Sequence, residues 1–221
     1  LDLAGNPEVN GCPYECTPQS GEDRPGDISQ SGYATGHHDT NCDGIDGDVA
    51  RALCVDRHSG NDSNPGTKER PLQSINAALT EIVTLSGKDQ IYVSRGTYNE
   101  SILLIEGISI YGGYDASQGW KRSASYVTNI QNNQVEAGTQ HVIAVIGDNI
   151  GSTGKTVLQN VEIVAGAATG HNPSTLQGGS SYGVICTNCN GLELRGIVIS
   201  AGVGAPGGAG PAVTTVAEDG N

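Results

Sequence analysis

The hydrophobic pattern of the chain changes at about residue 52. Residues 1–48 show no apolar period and are rich in Gly, Pro, Ser and Asp, which is typical of irregular structure. After residue 88, short apolar or alternating segments follow one another, each bounded by turn-forming residues, as β-strands are. These segments are QIYVS, TYNESILLI, GISIYGG, YVTNIQ, HVIAVIG, TVLQNVEIVAG, SYGVICT, GLELRGIVISAG and PAVTTVA. We therefore expect an irregular extension over residues 1–51 and an all-β domain over residues 52–221.

One segment between these regions has a helical period. Its apolar residues lie on one stripe, Pro71 suits the first helical position, and Gly87 suits a C-terminal stop. The stripe consists of Leu72, Ile75, Leu79, Ile82 and Val83. The pattern predicts a single helix at about 71–86, with strands from about residue 89.

Three of the strand segments repeat one another. A shared template, [Gly/Asn]-[Ile/Val]-x-Ile-x-x-Gly, occurs at residues 107–113, 160–166 and 196–202. The last two lie 36 residues apart (196 − 160 = 36), and Leu158 precedes one as Leu194 precedes the other. The first has no common interval with the second, so we expect insertions between them. Recurrence favours a solenoid, whose turns bury their apolar side by stacking. A β-sandwich is the alternative, but it gives no reason for the repetition.

The same residues carry a family resemblance. SGNDSNPGTKERPLQSINAAL (59–79), DQIYVSRGTYNESILL (89–104) and GISIYGGYD (107–115) resemble the entry to right-handed parallel β-helix proteins of the pectate-lyase-like superfamily. In that family a G-N-D-x-N-P-G-T turn precedes a capping helix, and the first turn of the solenoid ends in G-T-Y-x-E. Residues 182–202 are similar to later turns of such proteins. The resemblance covers about residues 52–203 and implies a right-handed parallel β-helix solenoid with an N-terminal capping helix.

The resemblance is less specific for activity than for fold. The family includes polysaccharide lyases and hydrolases, adhesins, phage proteins and secreted proteins with no known chemistry. The ending IYGGYD, preceded by NCDGIDGD, is most similar to large surface proteins of Gram-negative bacteria that place Cys- and Asp-rich modules before the β-helix.

Composition and charge exclude several functions. The net charge is −13, so nucleic acid is not an expected partner, because phosphate binding needs a basic face. No run of 18 apolar residues occurs, and no membrane span is expected. Because the chain has no Met, we expect Leu1 to lie within a processed protein whose targeting signal is upstream. Six cysteines favour an oxidising compartment, and therefore a secreted protein, extracellular or on the outer cell surface.

The cysteines form three close pairs along the chain. We predict disulfides between Cys42 and Cys54 and between Cys12 and Cys16, which would staple the extension. The third pair, at 186 and 189, has the spacing of a metal motif without two further ligands nearby. A disulfide, a metal site and two small buried residues all stay open for this pair.

The acidic stretch from 39 to 48 is the strongest chemical motif. Asp39, Asn41 and Asp43 stand at alternate positions before Gly44, as in the D-x-D/N-x-D/N-G opening of a calcium loop, where hard oxygens suit a hard cation. Position 12 of the loop is Ala50 instead of Glu, and no helix flanks it, so it resembles the helix-free loops of thrombospondin-type repeats. A solvated acidic turn is the alternative. The predicted calcium ligands are Asp39, Asn41, Asp43, Ile45 through its carbonyl, Asp46 and Asp48.

No catalytic residue is assigned. The segment 151–156 lacks the first Gly of a phosphate-binding loop and leads into a strand instead of a helix, so we do not expect nucleotide binding. A polysaccharide lyase would need several Asp and a basic residue on one face. The available charges, which we place in turns, are Lys88, Arg95, Asp115, Lys121 and Arg122.

These features predict a secreted or surface-displayed structural or adhesive protein, stabilised by calcium. A carbohydrate-active lyase or glycan-binding module is the alternative, which a groove lined with aromatic and carboxylate side chains would favour. We expect residues 200–211 to form a flexible glycine-rich excursion, with no capping element after it. The C-terminal edge should therefore self-associate or carry further β-helix turns, and head-to-tail stacking of copies would produce a filament.

Overall fold

The computed structural model describes residues 39–151 and 154–210, together with residues 18, 23–26 and 28. Its strands wind into a parallel β-helix solenoid of about four turns, which confirms the predicted fold class. A lead-in strand, β1 (Ala52–Val55), precedes the first turn of β2 (Gln90–Ser94), β3 (Gly96–Asn99) and β4 (Ile102–Leu103). The second turn contains β5 (Ser109–Asp115), a short hairpin strand β6 (Lys121–Arg122), β7 (Thr128–Asn132) and β8 (Val142–Asp148). The third contains β9 (Thr156–Gln159), β10 (Glu162–Ala165) and β11 (Ser181–Thr187), and the last contains β12 (Leu192–Arg195) and β13 (Val198–Ala201).

The turns stack into three sheets. Sheet 1 has the order β1-β2-β5-β9-β12, sheet 2 has β3-β7-β10-β13, and sheet 3 has β4-β8-β11, all with parallel neighbours. Register pairing places like residues above one another, so Ile110 stacks on Leu158 in sheet 1 and Ile130 on Ile163 in sheet 2. All four of these side chains are fully buried. The interior of the solenoid is therefore built of continuous apolar columns, each stabilised by its neighbours along the axis.

The sequence repeats occupy two different faces. Residues 162–165 pair with 198–201 in sheet 2, and Leu158 pairs with Leu194 in sheet 1, which agrees with the 36-residue interval. The segment 107–113 contributes to β5 in sheet 1, where Ile110 pairs with Leu158. Its irregular interval therefore reflects in part a different side of the solenoid. Register partners in sheet 1 also show the expected insertion, since Ile110 and Leu158 lie 48 residues apart (158 − 110 = 48) and Leu158 and Leu194 lie 36 apart.

The N-terminal end is closed by the predicted helix, which is shorter than expected. The helix α1 (Ile75–Ile82) buries Ile75, Leu79 and Ile82 against the first turn. It begins after Ser74, whose side chain accepts the Ala77 N–H as an N-cap, so Pro71 lies before the helix. No helix in the described ranges is long and apolar enough to cross a membrane.

Two carboxylates of the family motif hold this helix in place. Glu100, the last residue of G-T-Y-x-E, accepts the Ile75 and Asn76 N–H groups at 2.9 Å each. Asp62 accepts the N–H groups of Gln73 and Ser74 at 2.8 Å. The first N–H groups of a helix have no partner within it, and a carboxylate there also complements the helix dipole.

Residues 202–208 are anchored, unlike the flexible excursion that the sequence suggested. The Ala168 N–H donates to the Val203 carbonyl, and the Ala205 N–H donates to the Gly179 carbonyl at 2.8 Å. A Cβ on Gly178 would lie 2.0 Å from the Ala205 carbonyl oxygen. Glycine therefore permits close backbone stacking of neighbouring loops here.

Candidate functional site: the acidic loop and the open last turn

The acidic loop lies on the outer face of sheet 1. Alternation along the strands sends Ile91 and Val93 into the solenoid and Tyr92 outward, where it joins a second buried cluster. Ile45 of the loop is 3% exposed and belongs to this outer cluster. The Asp48 N–H donates to the Tyr92 hydroxyl oxygen at 2.7 Å. The other large members are Tyr111, Tyr114 and Trp120. The loop is therefore docked on a tyrosine-rich surface.

Three of the predicted ligands come together in one turn. The carboxylate of Asp39 and the amide oxygen of Asn41 each accept the Asp43 N–H at 3.0 Å. The Asp43 carboxylate accepts the N–H groups of Ile45 (3.1 Å) and Val49 (2.8 Å). Such bonds from Asp and Asn side chains to nearby backbone groups fix the turn locally.

The remaining predicted carboxylates make other contacts. Asp48 caps a short 3₁₀ turn, accepting the Ala50 N–H at 2.9 Å. Asp46 forms an ion pair with Arg122, 2.8 Å between Oδ2 and Nη1, in which the Asp46 and Arg122 side chains are 8% and 0% exposed. Asp46 also accepts the Gly26 N–H. In this arrangement both carboxylates support the position of the loop.

Arg122 connects three parts of the molecule, a role that the sequence reasoning missed. Its guanidinium donates five hydrogen bonds, to acceptors in the extension, the second turn and the third turn. It also lies over the Tyr114 ring, with 4.8 Å between the guanidinium carbon and the ring centroid. The acceptors are the carbonyls of Gly26 and Gly112, the Asp46 carboxylate and the Asn160 amide oxygen. The placement of Arg122 in a turn was therefore wrong, since it is a buried residue of the strand β6. Since β6 has only two residues, alternation carries almost no signal there.

The other charges of the early turns also support the fold. Lys88 donates through Nζ to the carbonyls of Ala50 (3.1 Å) and Ala52 (2.7 Å). Arg95 pairs with Asp115 at 2.8 Å, and Asp115 is a buried strand residue instead of a turn residue. Lys121 is the register partner of Asp115 in the antiparallel pairing of β5 and β6.

Burial raises the pKa of two carboxyls near the loop. For Asp43, burial is the main cause and the nearby Asp39 charge adds to it. For Asp23, which is 4% exposed and accepts the N–H groups of Thr40 and Asn41, burial is again the main cause and Asp46 adds to it. The charged forms of both groups are therefore costly in the docked loop.

The described residues contain no group of three or more His, Cys, Asp or Glu side chains arranged to hold a metal ion. Asp39, Asn41 and Asp43 supply two carboxylates and one amide. A cation at this turn would need backbone carbonyls and water to complete the six to eight oxygen ligands that calcium prefers.

The cysteines correct one predicted disulfide and show a disulfide at the pair that the sequence left open. Cys54 is a free thiol, so the predicted Cys42–Cys54 disulfide is wrong, although Cys42 is disulfide-bonded. Cys54 lies in β1 beside Tyr92 within the outer cluster, and burial raises its pKa to about 12. The predicted Cys12–Cys16 link lies outside the described residues. Cys186 and Cys189, left open by the sequence, form a disulfide that packs on Gly147.

The last turn of the solenoid exposes its apolar columns. Leu194, which continues the column of Ile110 and Leu158, is 42% exposed, and Ile199, which continues that of Ile130 and Ile163, is 47% exposed. All of the corresponding residues in earlier turns are buried. Within the described part of the chain, the solenoid is therefore open at this end.

A groove also follows the corner between sheets 1 and 2. It encloses about 170 Å³ and is lined by Tyr126, Val127, Glu162 and Val198, among other residues. Asn129, the register neighbour of Glu162, has a buried Oδ1 that accepts no hydrogen bond. Arg95 lies over the Tyr126 ring, 5.8 Å from its centroid.

Comparison with known proteins identifies one family. Residues 58–207 match the family described as a protein of unknown function, DUF1565. No curated protein and no solved structure matches the chain.

Proposed function

The chain belongs to the DUF1565 family, and from that premise we propose that it is a secreted or cell-surface structural or adhesive β-helix module, joined to further β-structure through its last turn. The open end of the solenoid carries this proposal. An uncovered turn presents unpaired backbone groups and apolar interior to water, and sheets manage such edges by pairing or covering them. Leu158 and Leu194 are register partners in sheet 1, and Leu158 is fully buried while Leu194 is 42% exposed.

The disulfides support the proposed location. Cys186 and Cys189 are bonded to each other, and Cys42 is also in a disulfide. Structural disulfides persist in oxidising compartments and are rare where thiols are kept reduced.

Hydrogen exchange with mass spectrometry tests the proposal. In the isolated chain at low concentration, amides of β12 and β13 should exchange at least about tenfold faster than those of β9 and β10, which have neighbours on both sides. Equal protection of the two pairs would show that the last turn is already covered within the chain, and the joining surface would be rejected.

We also propose that calcium stabilises the acidic loop. Two observations support this proposal. Side-chain oxygens of Asp39 and Asn41 meet at the Asp43 N–H. The pKa values of Asp43 and Asp23 are raised. A bound cation would offset the cost of burying these negative charges and the smaller repulsion between neighbouring carboxylates.

Removal of calcium gives a direct measurement. Chelator should lower the melting temperature, and calcium but not magnesium should restore it. Trp120 reports on the loop, since it is the only Trp and its Nε1 donates to the Lys68 carbonyl, while Lys68 Nζ donates to the Asp43 carbonyl. D39N and D43N should lose the response, and D148N, at an exposed carboxylate elsewhere, should keep it. Melting and fluorescence that ignore chelator would reject calcium and leave the open turn untouched.

Glycan binding is the second candidate, and the groove beside sheet 2 favours it. Tyr126 offers an aromatic platform and Glu162 a carboxylate. Binding to a panel of neutral and acidic polysaccharides should weaken in Y126A and persist in Y182A, a tyrosine on sheet 3. If no polysaccharide in the panel binds the wild-type chain, this candidate is removed.

A further inference from the structure

The two ends of the solenoid are not complementary to each other. On the N-terminal side of β1, sheet 1 is covered by the segment that precedes α1. The Cys54 N–H of β1 donates to the Gly66 carbonyl of this segment, and the Leu72 N–H of the segment donates to the Cys54 carbonyl. With α1 packed beside this segment, β1 presents no free edge to the β12 strand of another copy. The sheet 1 pairing that a head-to-tail filament would need, β12 of one copy on β1 of the next, is therefore blocked.

The open edge is complementary to itself. β12 has the sequence Leu-Glu-Leu-Arg, so Glu193 and Arg195 flank Leu194 on the opposite face of the strand. A two-fold axis through Leu194 would pair β12 antiparallel with the same strand of a second copy. Glu193 of each copy would then face Arg195 of the other, because antiparallel positions about residue 194 sum to 388.

The backbone groups fit the same arrangement. The Asn160 N–H donates to the Arg195 carbonyl and the Thr156 N–H to the Gly191 carbonyl, so odd-numbered carbonyls of β12 face β9. Alternation then directs the N–H and C=O of Leu194 away from β9, toward the open edge. Two copies of Leu194 would exchange both hydrogen bonds as a hydrogen-bonded antiparallel pair, with Glu193 and Arg195 at the closer neighbouring positions.

We propose that two copies of this chain associate end to end through β12, about a two-fold axis at Leu194. This rests on the proposed function and names its partner as a second copy. The contact is isologous, so it closes as a dimer instead of growing into a fibre. Two opposite-charge pairs then lie across the junction. They are local attractions between two chains that each have a net charge of −13.

Charge exchange at the junction tests the pairing. The wild-type chain should form a particle of twice 22.6 kDa by light scattering or sedimentation. E193R and R195E should each raise the dimer dissociation constant by about tenfold or more, because like charges then face each other twice. Mixing the two variants should restore the dimer as a heterodimer, since each contact across the axis then again joins one acidic and one basic side chain.

Matched variants separate the outcomes. E81R, an equal charge change on the exposed face of α1, should leave the dimer unchanged. A mixture of E193R and R195E that associates no better than either alone overturns the proposal, as does a wild-type chain that stays monomeric at about 100 μM. If such a monomer still exchanges its β12 and β13 amides rapidly, the two-fold pairing fails while the open turn of the proposed function stands. Slow exchange in that monomer would remove both.

Discussion

The two ends of this solenoid solve the same physical problem differently. At the N-terminal end, α1 and the preceding segment cover the apolar columns, and Glu100 and Asp62 satisfy the N–H groups of the helix start. At the other end, Leu194 and Ile199 continue the same columns and are 42% and 47% exposed, and no described residue covers them. The comparison teaches that the cap is a separate element with its own polar fastenings, because a turn of solenoid does not close itself.

Within the described ranges, a second layer of residues covers sheet 1 in the closed half of the solenoid and not at the open end. Residues 39–48 lie over the tyrosine cluster on sheet 1, and Arg122 connects this loop to the second and third turns. Near the open end, the outer face of β12 carries the exposed pair Glu193 and Arg195. Stability should therefore fall along the axis from the closed end to the open one.

The largest expected effect is at Arg122. R122M removes the ion-pair partner of the buried Asp46 carboxylate and should lower the free energy of unfolding by about 3–5 kcal/mol. Urea unfolding followed by Trp120 fluorescence measures it. D46N combined with R122M should recover part of the loss, because the buried negative charge is then removed together with its ion-pair partner. R57M, at an exposed arginine, serves as the control; a loss in R122M no greater than in R57M would contradict the linking role.

The next comparison uses one apolar column at its covered and uncovered positions. L158A should cost about 2–5 kcal/mol, because it leaves a cavity at a fully buried site. L194A, at the register partner that is 42% exposed, should cost less than about 1 kcal/mol in the monomer. Both are measured by denaturant unfolding at concentrations where the chain is monomeric. Equal losses would mean that the last turn is as well covered as the third.

Residues that depend on neighbours along the strand were predictable from the sequence. Alternation located the strands of the described turns, and the 36-residue interval found Leu158 and Leu194 in register. Arg122 and Cys54 could not be predicted in the same way. Arg122 depends on the loop at 39–48, which is distant in the chain, and its two-residue strand has no period to read. Cys54 depends on its pairing with Tyr92, 38 positions further along (92 − 54 = 38).

The acidic loop was predictable in part, for a related reason. Asp39, Asn41 and Asp43 meet because their spacing builds a local turn. The ion pair of Asp46 with Arg122 spans 76 positions and depends on how sheet 1 receives the loop. Likewise Glu100 and Asp62, quoted as parts of a family motif, fasten the capping helix, so these motif residues identify the fold without indicating an activity.

A smaller effect is expected at the fastening of the cap. E100Q keeps the size of the side chain but removes the negative charge of the carboxylate that accepts the Ile75 and Asn76 N–H groups. It should lower the free energy of unfolding by about 1–2 kcal/mol. Thermal unfolding followed by circular dichroism measures it. E136Q, in an exposed loop, is the matched change and should stay within about 0.5 kcal/mol of the wild type. If E100Q loses no more stability than E136Q, the capping role is contradicted.

The smallest effect in this series is the pH dependence of the loop. Because burial raises the pKa of Asp43 and Asp23 in the folded chain, their contribution is most favourable below their ordinary unfolded pKa and is lost as the pH rises through the raised folded values. Carboxyl carbon NMR should therefore find both groups titrating above ordinary aspartate in calcium-free protein. Calcium should lower the pKa of Asp43, because a bound cation favours the charged carboxylate. If Asp43 titrates as an ordinary unfolded aspartate with and without calcium, the loop carries no buried charge for a cation to neutralise, and its position on sheet 1 depends on Arg122 and the tyrosine cluster.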